Sequence, residues 1–167
     1  TSINNYGAVL EAMGRPADAE AYYRDAMEKC GRVLGPEHPN TFITRINTGG
    51  ALQARGKNAE AEKALDGVEA SARKAFTGAN ARWVAKLLAR RGMARTALGK
   101  LAAAEKDLLE AYPLYVSTRG ADHAETRECA KALVGLYTSR QAAEPGKGHD
   151  RDAATWAGKA RPGARPR

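Results

Sequence analysis

The chain has 167 residues, 17.8 kDa, 35 alanines and 6% aromatic residues, enough length to bury one core without disulfides or metal and a composition that favours close-packed helices over a β-sandwich. Cys30 and Cys129 have no Cys or His partner at ligand spacing, which argues against a disulfide scaffold and a zinc module, and no apolar run approaches the roughly 20 residues of a membrane helix. The net charge of +8 is uneven: residues 140–167 carry seven Lys or Arg against three acidic residues, and the block Arg73–Lys100 carries eight with none.

The first predicted helix covers about residues 2–13 and ends at Gly14, since glycine accepts the left-handed conformation that closes a helix. Pro16 suits the first turn of the next helix, about 16–34, whose apolar positions are Ala19, Tyr23, Ala26, Cys30 and Val33. Gly35-Pro36-Glu37-His38-Pro39 turns the chain; Pro39 discourages helix at His38, and Asn40 or Thr41 is placed to cap a helix over about 40–55. Gly56 ends that helix, and 58–76 follows with Ala61, Leu65, Val68, Ala72 and Ala75 inward. Thr77–Ala81 is a weaker turn before a helix over 80–98. Gly99 separates it from 101–119, with Ala104, Leu108, Ala111 and Tyr115 inward. Gly120-Ala121-Asp122-His123 repeats the earlier turn and leads into 123–140. Residues 142–149 read as a loop, 150–161 as a closing helix and 162–167 as a disordered basic tail.

These elements repeat. A shift of 42 places Asn5 on Asn47, Gly7 on Gly49, Leu10 on Leu52, Gly14 on Gly56 and Ala19-Glu20 on Ala61-Glu62. A further shift of 43 places Gly49 on Gly92, Gly56 on Gly99 and Ala61-Glu62 on Ala104-Glu105, and the Gly35–Thr41 turn recurs 85 positions later as Gly120–Thr126. The small residues Gly7, Gly49 and Gly92 let neighbouring helices approach closely. The extra residue implied by the spacing of 43 falls somewhere before Gly99, which leaves the register of helix 80–98 open by one position.

This pattern resembles tetratricopeptide repeats, in the longer 42-residue form of kinesin light chains and many bacterial proteins. The likeness covers about residues 3–141 and, more loosely, 150–161. It implies an all-α, right-handed superhelical solenoid of about four antiparallel helix pairs, divided as 1–38, 39–78, 79–122 and a first helix 123–141, then the loop, closing helix and tail. It further implies that the first helices line a concave face on which an Asn side chain holds the backbone of an extended peptide. Those positions are Asn5, Asn47 and Arg90; the alternative is that the Asn residues bond to neighbouring helices. Two departures stand out: Arg90 replaces the Asn, and Arg95 replaces Leu10 and Leu52. Leu133–Tyr137 with Ala153–Trp156 resembles the closing helical pair of repeat arrays that follow bacterial serine/threonine kinase domains, although no kinase motif is present. The chain begins at Thr1 inside a repeat and reads as a piece of a longer protein or a processed product.

Arg82, Lys86 and Arg90 lie at i, i+4 and i+8, on one helix face, with Val84, Leu87 and Leu88 left for the core. The stripe either lines the groove and grips an acidic peptide or forms an outer solvated face. His38 and His123, at equivalent turns, read as structural hydrogen-bonding residues, while His149 stands alone in the loop. Cys30 and Cys129 read as buried packing, and Trp83 and Trp156 as core or cap residues. No catalytic constellation, cofactor site or metal site is expected. The chain is read as a scaffold for a protein or peptide, an acidic one where the stripe lines the groove, and not as an enzyme. The alternatives are a regulatory C-terminal region of a bacterial kinase and a basic module with nonspecific nucleic-acid affinity. No membrane partner is expected, and the absence of signal and disulfide features points to the cytoplasm.

Overall fold

Glycines set the punctuation of the chain. Gly14, Gly56 and Gly99 take φ of 70°, 74° and 72°, each directly after the first helix of a pair, while Gly35 and Gly120, at 88° and 89°, close second helices. The computed structural model describes residues 2–162, with side chains from Asn5 onward. Of the expected basic tail 162–167, residues 163–167 lie outside the described residues. The helices are α1 (Ser2–Ala12), α2 (Pro16–Leu34), α3 (Pro39–Ala54), α4 (Asn58–Asp66), α5 (Glu69–Ala75), α6 (Arg82–Ala97), α7 (Leu101–Arg119), α8 (Ala124–Ala143) and α9 (His149–Ala160), with a 3-10 turn, Gly78–Ala81, before α6. No helix among the described residues is long and apolar enough to cross a membrane.

Successive helices pair as α1 with α2, α3 with α4 and α5, α6 with α7, and α8 with α9. The first helices α1, α3, α6 and α8 touch one another in succession, whereas the second helices approach one another far less closely. A stack whose first helices touch and whose second helices splay is curved, with the first helices on its concave side. The result is an all-helical repeat solenoid.

The first three pairs are each closed by a glycine against a large side chain. A Cβ on Gly49 would lie 2.6 Å from Leu65 Cγ, one on Gly92 would lie 2.7 Å from Leu108 Cγ, and one on Gly7 would overlap the Tyr23 ring. These contacts settle the register. Leu65 to Gly78 spans 13 positions, against 12 for Tyr23 to Gly35 and for Leu108 to Gly120, so the extra residue lies in 65–78. Gly78 to Gly92 spans 14 positions, as does Gly35 to Gly49, so Arg90 is the true counterpart of Asn47 and Arg95 of Leu52.

The main departure from expectation lies in the second helix of the second unit. The helix expected over 58–76 breaks after Asp66; Gly67 and Val68 interrupt it, Val68 taking φ −123° and ψ −4°. Glycine inside a helix costs about 1 kcal/mol relative to alanine, which makes Gly67 the weak point, yet Ala61, Leu65, Val68 and Ala72 are all buried, so the inward face keeps its register through the break. The extra residue is taken up beyond Ala72, where Phe76 is buried and Ala75, expected inward, is exposed. Three further corrections concern the edges. Cys30 is half-buried and Val33 is 76% exposed, because α2, with 19 residues against 11 in α1, runs past its partner. His38, not Asn40 or Thr41, caps α3. His149 does not stand in the loop: it is the first residue of α9, buried with its ring stacked on Tyr137 at 6.1 Å between centroids.

Candidate functional site

The expected groove residues divide between two hollows. Along α6, Val84, Leu87 and Leu88 are buried in the core, which leaves Arg82, Lys86 and Arg90 on the opposite side. The Arg82 guanidinium donates to Ala79 O and Asn80 Oδ1, both at 3.0 Å, and lies 5.6 Å from the centroid of the Trp83 ring. Lys86 Nζ lies 5.3 Å from the same ring, a cation–π arrangement. Arg90 crosses α3 over Gly50, where a Cβ would stand 3.2 Å from Nε, and reaches Glu11 of α1 at 3.9 Å.

Asn5 and Arg82 share a hollow of about 330 Å³ with Ile43, Phe76 and Trp83. Lys86 and Arg90 line another of about 250 Å³ between α6 and α8, facing Tyr115, Glu125 and Glu128. Asn47 is only 4% exposed and is engaged within the fold, so it is not presented as Asn5 is. Burial, and then the Arg90 cation, pull the Lys86 ammonium below the ordinary lysine range; Glu11 and Glu125 work against this. A desolvated cation of this kind gains most from an added anionic partner.

Half of the basic block has a different use, which the sequence reading missed. Arg91 is 4% exposed and donates to Asp107 through Nε (2.9 Å) and Nη2 (2.8 Å), and through Nη1 to Asp66 (2.7 Å) and Glu69. Arg95 pairs with Glu62, Asp66 and Asp107; Arg73 joins Glu69 to Glu110. These carboxylates come from α4, α5 and α7, so the block's local lack of acid conceals them. The available signal was Arg95 at a leucine position, since an arginine facing an interior requires a carboxylate there.

The repeated Ala-Glu pair has an equally concrete role. Glu20 accepts from Lys57 Nζ at 3.1 Å and from Arg55, Glu62 accepts from Lys100 Nζ at 2.6 Å, and Glu105 pairs with Arg140 at 2.9 Å. Each glutamate thus ties its helix to the end of the following unit's first helix. The turns are equally regular. His38 Nδ1 accepts from Asn40 N at 3.1 Å and His123 Nδ1 from Glu125 N at 3.2 Å, while Thr41 and Thr126 donate to the carbonyls of Gly35 and Gly120 at 2.8 Å. Both histidines therefore cap helices. Trp83 packs on Phe76 and Trp156 on Tyr112, at the margin of the main core. Cys129 is buried, and burial pushes its thiol up to about 12, far from a nucleophile's range. Among the described residues no group of three or more His, Cys, Asp or Glu is placed to hold a metal ion.

Residues 1–74 match the tetratricopeptide repeat family. The match supports a tetratricopeptide repeat protein; repeats of this family generally mediate protein–protein interaction and are typically non-enzymatic. No curated protein matches the chain.

Proposed function

We propose that the protein is an interaction scaffold whose concave face receives an extended, acidic segment of a partner protein along α6. The carrying observation is the division of the basic block. Arg73, Arg91, Arg95 and Lys100 are neutralised by internal carboxylates. Arg82 and Lys86 have no ion pair among the described residues, and Arg90 has only Glu11 at 3.9 Å. A guanidinium offers a carboxylate two parallel hydrogen bonds, and the Lys86 ammonium adds a third donor one turn away. Asn5, next to Arg82, offers the peptide backbone both a donor and an acceptor. Glu125 and Glu128 form the facing wall of the second hollow, so the segment that fits best turns acidic residues toward α6 and a basic residue toward α8. The 42- and 43-residue spacing supports the kinesin-light-chain-like form as the repeat type.

The test is fluorescence anisotropy with labelled acidic, neutral and basic peptides. The double variant Lys86→Glu/Arg90→Glu, checked for unchanged helicity by circular dichroism, should lose at least tenfold in affinity for the acidic peptide. Unchanged affinity would sink the proposal.

A further inference from the structure

The second helices of consecutive units leave clefts between them, and equivalent positions line the two that can be compared. In the cleft between α4–α5 and α7, floored by α6, these positions carry Arg91, Arg95, Asp107, Glu69, Arg73 and Glu110, a polar hollow of about 500 Å³ whose charges are paired with one another. One unit earlier, between α2 and α4 over α3, Thr48 stands for Arg91, Leu52 for Arg95 and Ala64 for Asp107. Met27 stands for Glu69, Gly31 for Arg73 and Gly67 for Glu110. The same architecture, stripped of its long charged side chains, leaves an apolar cleft of about 790 Å³. Small-molecule sites occupy roughly 300–1,000 Å³, with an apolar lining and a few polar groups that orient the ligand.

Two cations face this cleft without a counter-charge. Arg45 of α3 is half-buried at the cleft, Lys63 of α4 is exposed beside it, and neither has an ion pair or hydrogen bond among the described residues. The remaining charged side chains there are matched: Arg24 of α2 pairs with Glu60 of α4 at 3.4 Å, and Glu28 lies 4.0 Å from Arg32. The Arg24–Glu60 pair also spans the cleft from one wall to the other. A helix of a partner protein could not lie along the cleft without breaking it, whereas an alkyl chain or a single ring system fits beside it. We infer that the cleft between α2 and α4 binds a small amphiphilic anion, its apolar body against Met27, Leu52 and Ala64 and its carboxylate, or comparable anionic group, on Arg45 and Lys63. This site lies on the outer side of the solenoid and stands independently of the concave groove.

Isothermal titration with decanoate below its micellar concentration, and with decanol as the neutral counterpart, tests the inference on the full chain. Gly31→Phe fills the cleft from a helical position where a Cβ meets nothing within 4 Å, so the fold should accept it. Saturable decanoate binding that falls at least tenfold in Gly31→Phe is the expected result. Arg45→Gln/Lys63→Gln should weaken decanoate at least tenfold and decanol less than twofold, which keeps the test decisive if Gly31→Phe misfolds. Lys86→Glu/Arg90→Glu should leave decanoate binding unchanged, separating this site from the groove. Absence of decanoate binding, or binding that ignores Gly31→Phe and Arg45→Gln/Lys63→Gln alike, would overturn the inference. So would binding of an acidic amphipathic helical peptide, but not decanoate, at the cleft.

Discussion

Replacing Arg91 by Met puts the buried ion network to its hardest test. Arg91 and Asp107 are 4% and 2% exposed, and the guanidinium holds the carboxylate through two bonds of 2.8 and 2.9 Å. Removing it leaves Asp107 buried with Arg95 Nη1, at 2.8 Å, as its remaining cation. Breaking a buried pair costs about 3–5 kcal/mol, mostly the uncompensated charge left behind. With Arg95 still in place the low end applies, so Arg91→Met should cost about 3 kcal/mol, or roughly 6–12 °C in Tm for a domain of this size. Glu69 keeps Arg73 and Asp66 keeps Arg95, so the loss concentrates on Asp107. The double variant Arg91→Met/Asp107→Leu removes the stranded carboxylate and replaces both groups with apolar volume. It should recover most of the loss, because a well-packed apolar replacement of a buried pair is often neutral. Urea unfolding followed by far-ultraviolet circular dichroism and by the fluorescence of Trp83 and Trp156 gives the three stabilities. If Arg91→Met costs less than about 1 kcal/mol, or the double variant is less stable than Arg91→Met, the reasoning fails.

Gly92→Ala would press a Cβ against Leu108 and should destabilise by about 1–3 kcal/mol, whereas Gly135→Ala, in a helix with nothing within 4 Å, should stabilise by up to about 1 kcal/mol; thermal unfolding showing the same sign for both would refute the close-approach argument. Glu62 is held below the usual carboxylate range by Lys100, against burial and with help from Arg95; for Glu69, burial is outweighed by Arg91 and Arg73. Both bind protons less readily folded than unfolded, so their stabilisation is complete above the unfolded value near 4.5 and is lost as pH falls below it; Tm measured from pH 7 to pH 3 should drop below that value, and a flat profile would contradict it. A maleimide should label half-buried Cys30 in the native protein and Cys129 only on unfolding; equal native rates would mean that Cys129 is not enclosed as described.

What could be read from the sequence was what repeats locally. The glycines that stop helices, the close-approach glycines and the histidine turns are set by contacts within one helix pair or one turn, so each copy carries its own signal. The core face of α7 follows for the same reason: Ala104, Leu108, Ala111 and Tyr115 are all buried. The ion network was invisible because its members come from different helices, and Glu62, Asp66 and Glu69 from the preceding unit. Arg95 lies 33 positions from Glu62, and only the stacking of α6 on α4 joins them. The place of the extra residue was invisible for a related reason, since a 42- or 43-residue period counts residues but does not say where an inserted one is absorbed. Of the expected groove residues, Arg82, Lys86 and Arg90 were legible as a stripe from their spacing. Their separation from Arg91 and Arg95 was not, because all five stand in one unbroken basic run.

The comparison of equivalent positions then explains how one repeat frame supports two chemistries. Backbone geometry is held by features common to the units: a glycine facing a large side chain, and an Ala-Glu pair whose glutamate binds a basic residue of the following unit. Because those contacts fix the stacking, the positions between second helices are free to differ. Where α6 supplies Arg91 and Arg95, the carboxylates of its neighbours bind α6 to both flanking second helices, and the cations are unavailable to a ligand. Where α3 supplies Thr48 and Leu52, the exposed Arg24–Glu60 pair crosses the cleft in place of the buried network, and Arg45 faces the cleft unmatched among the described residues. A large destabilisation in Arg91→Met beside a well-tolerated Gly31→Phe would show that these equivalent clefts differ in duty: one holds the stack together, and the other is surplus to stability and open to a ligand.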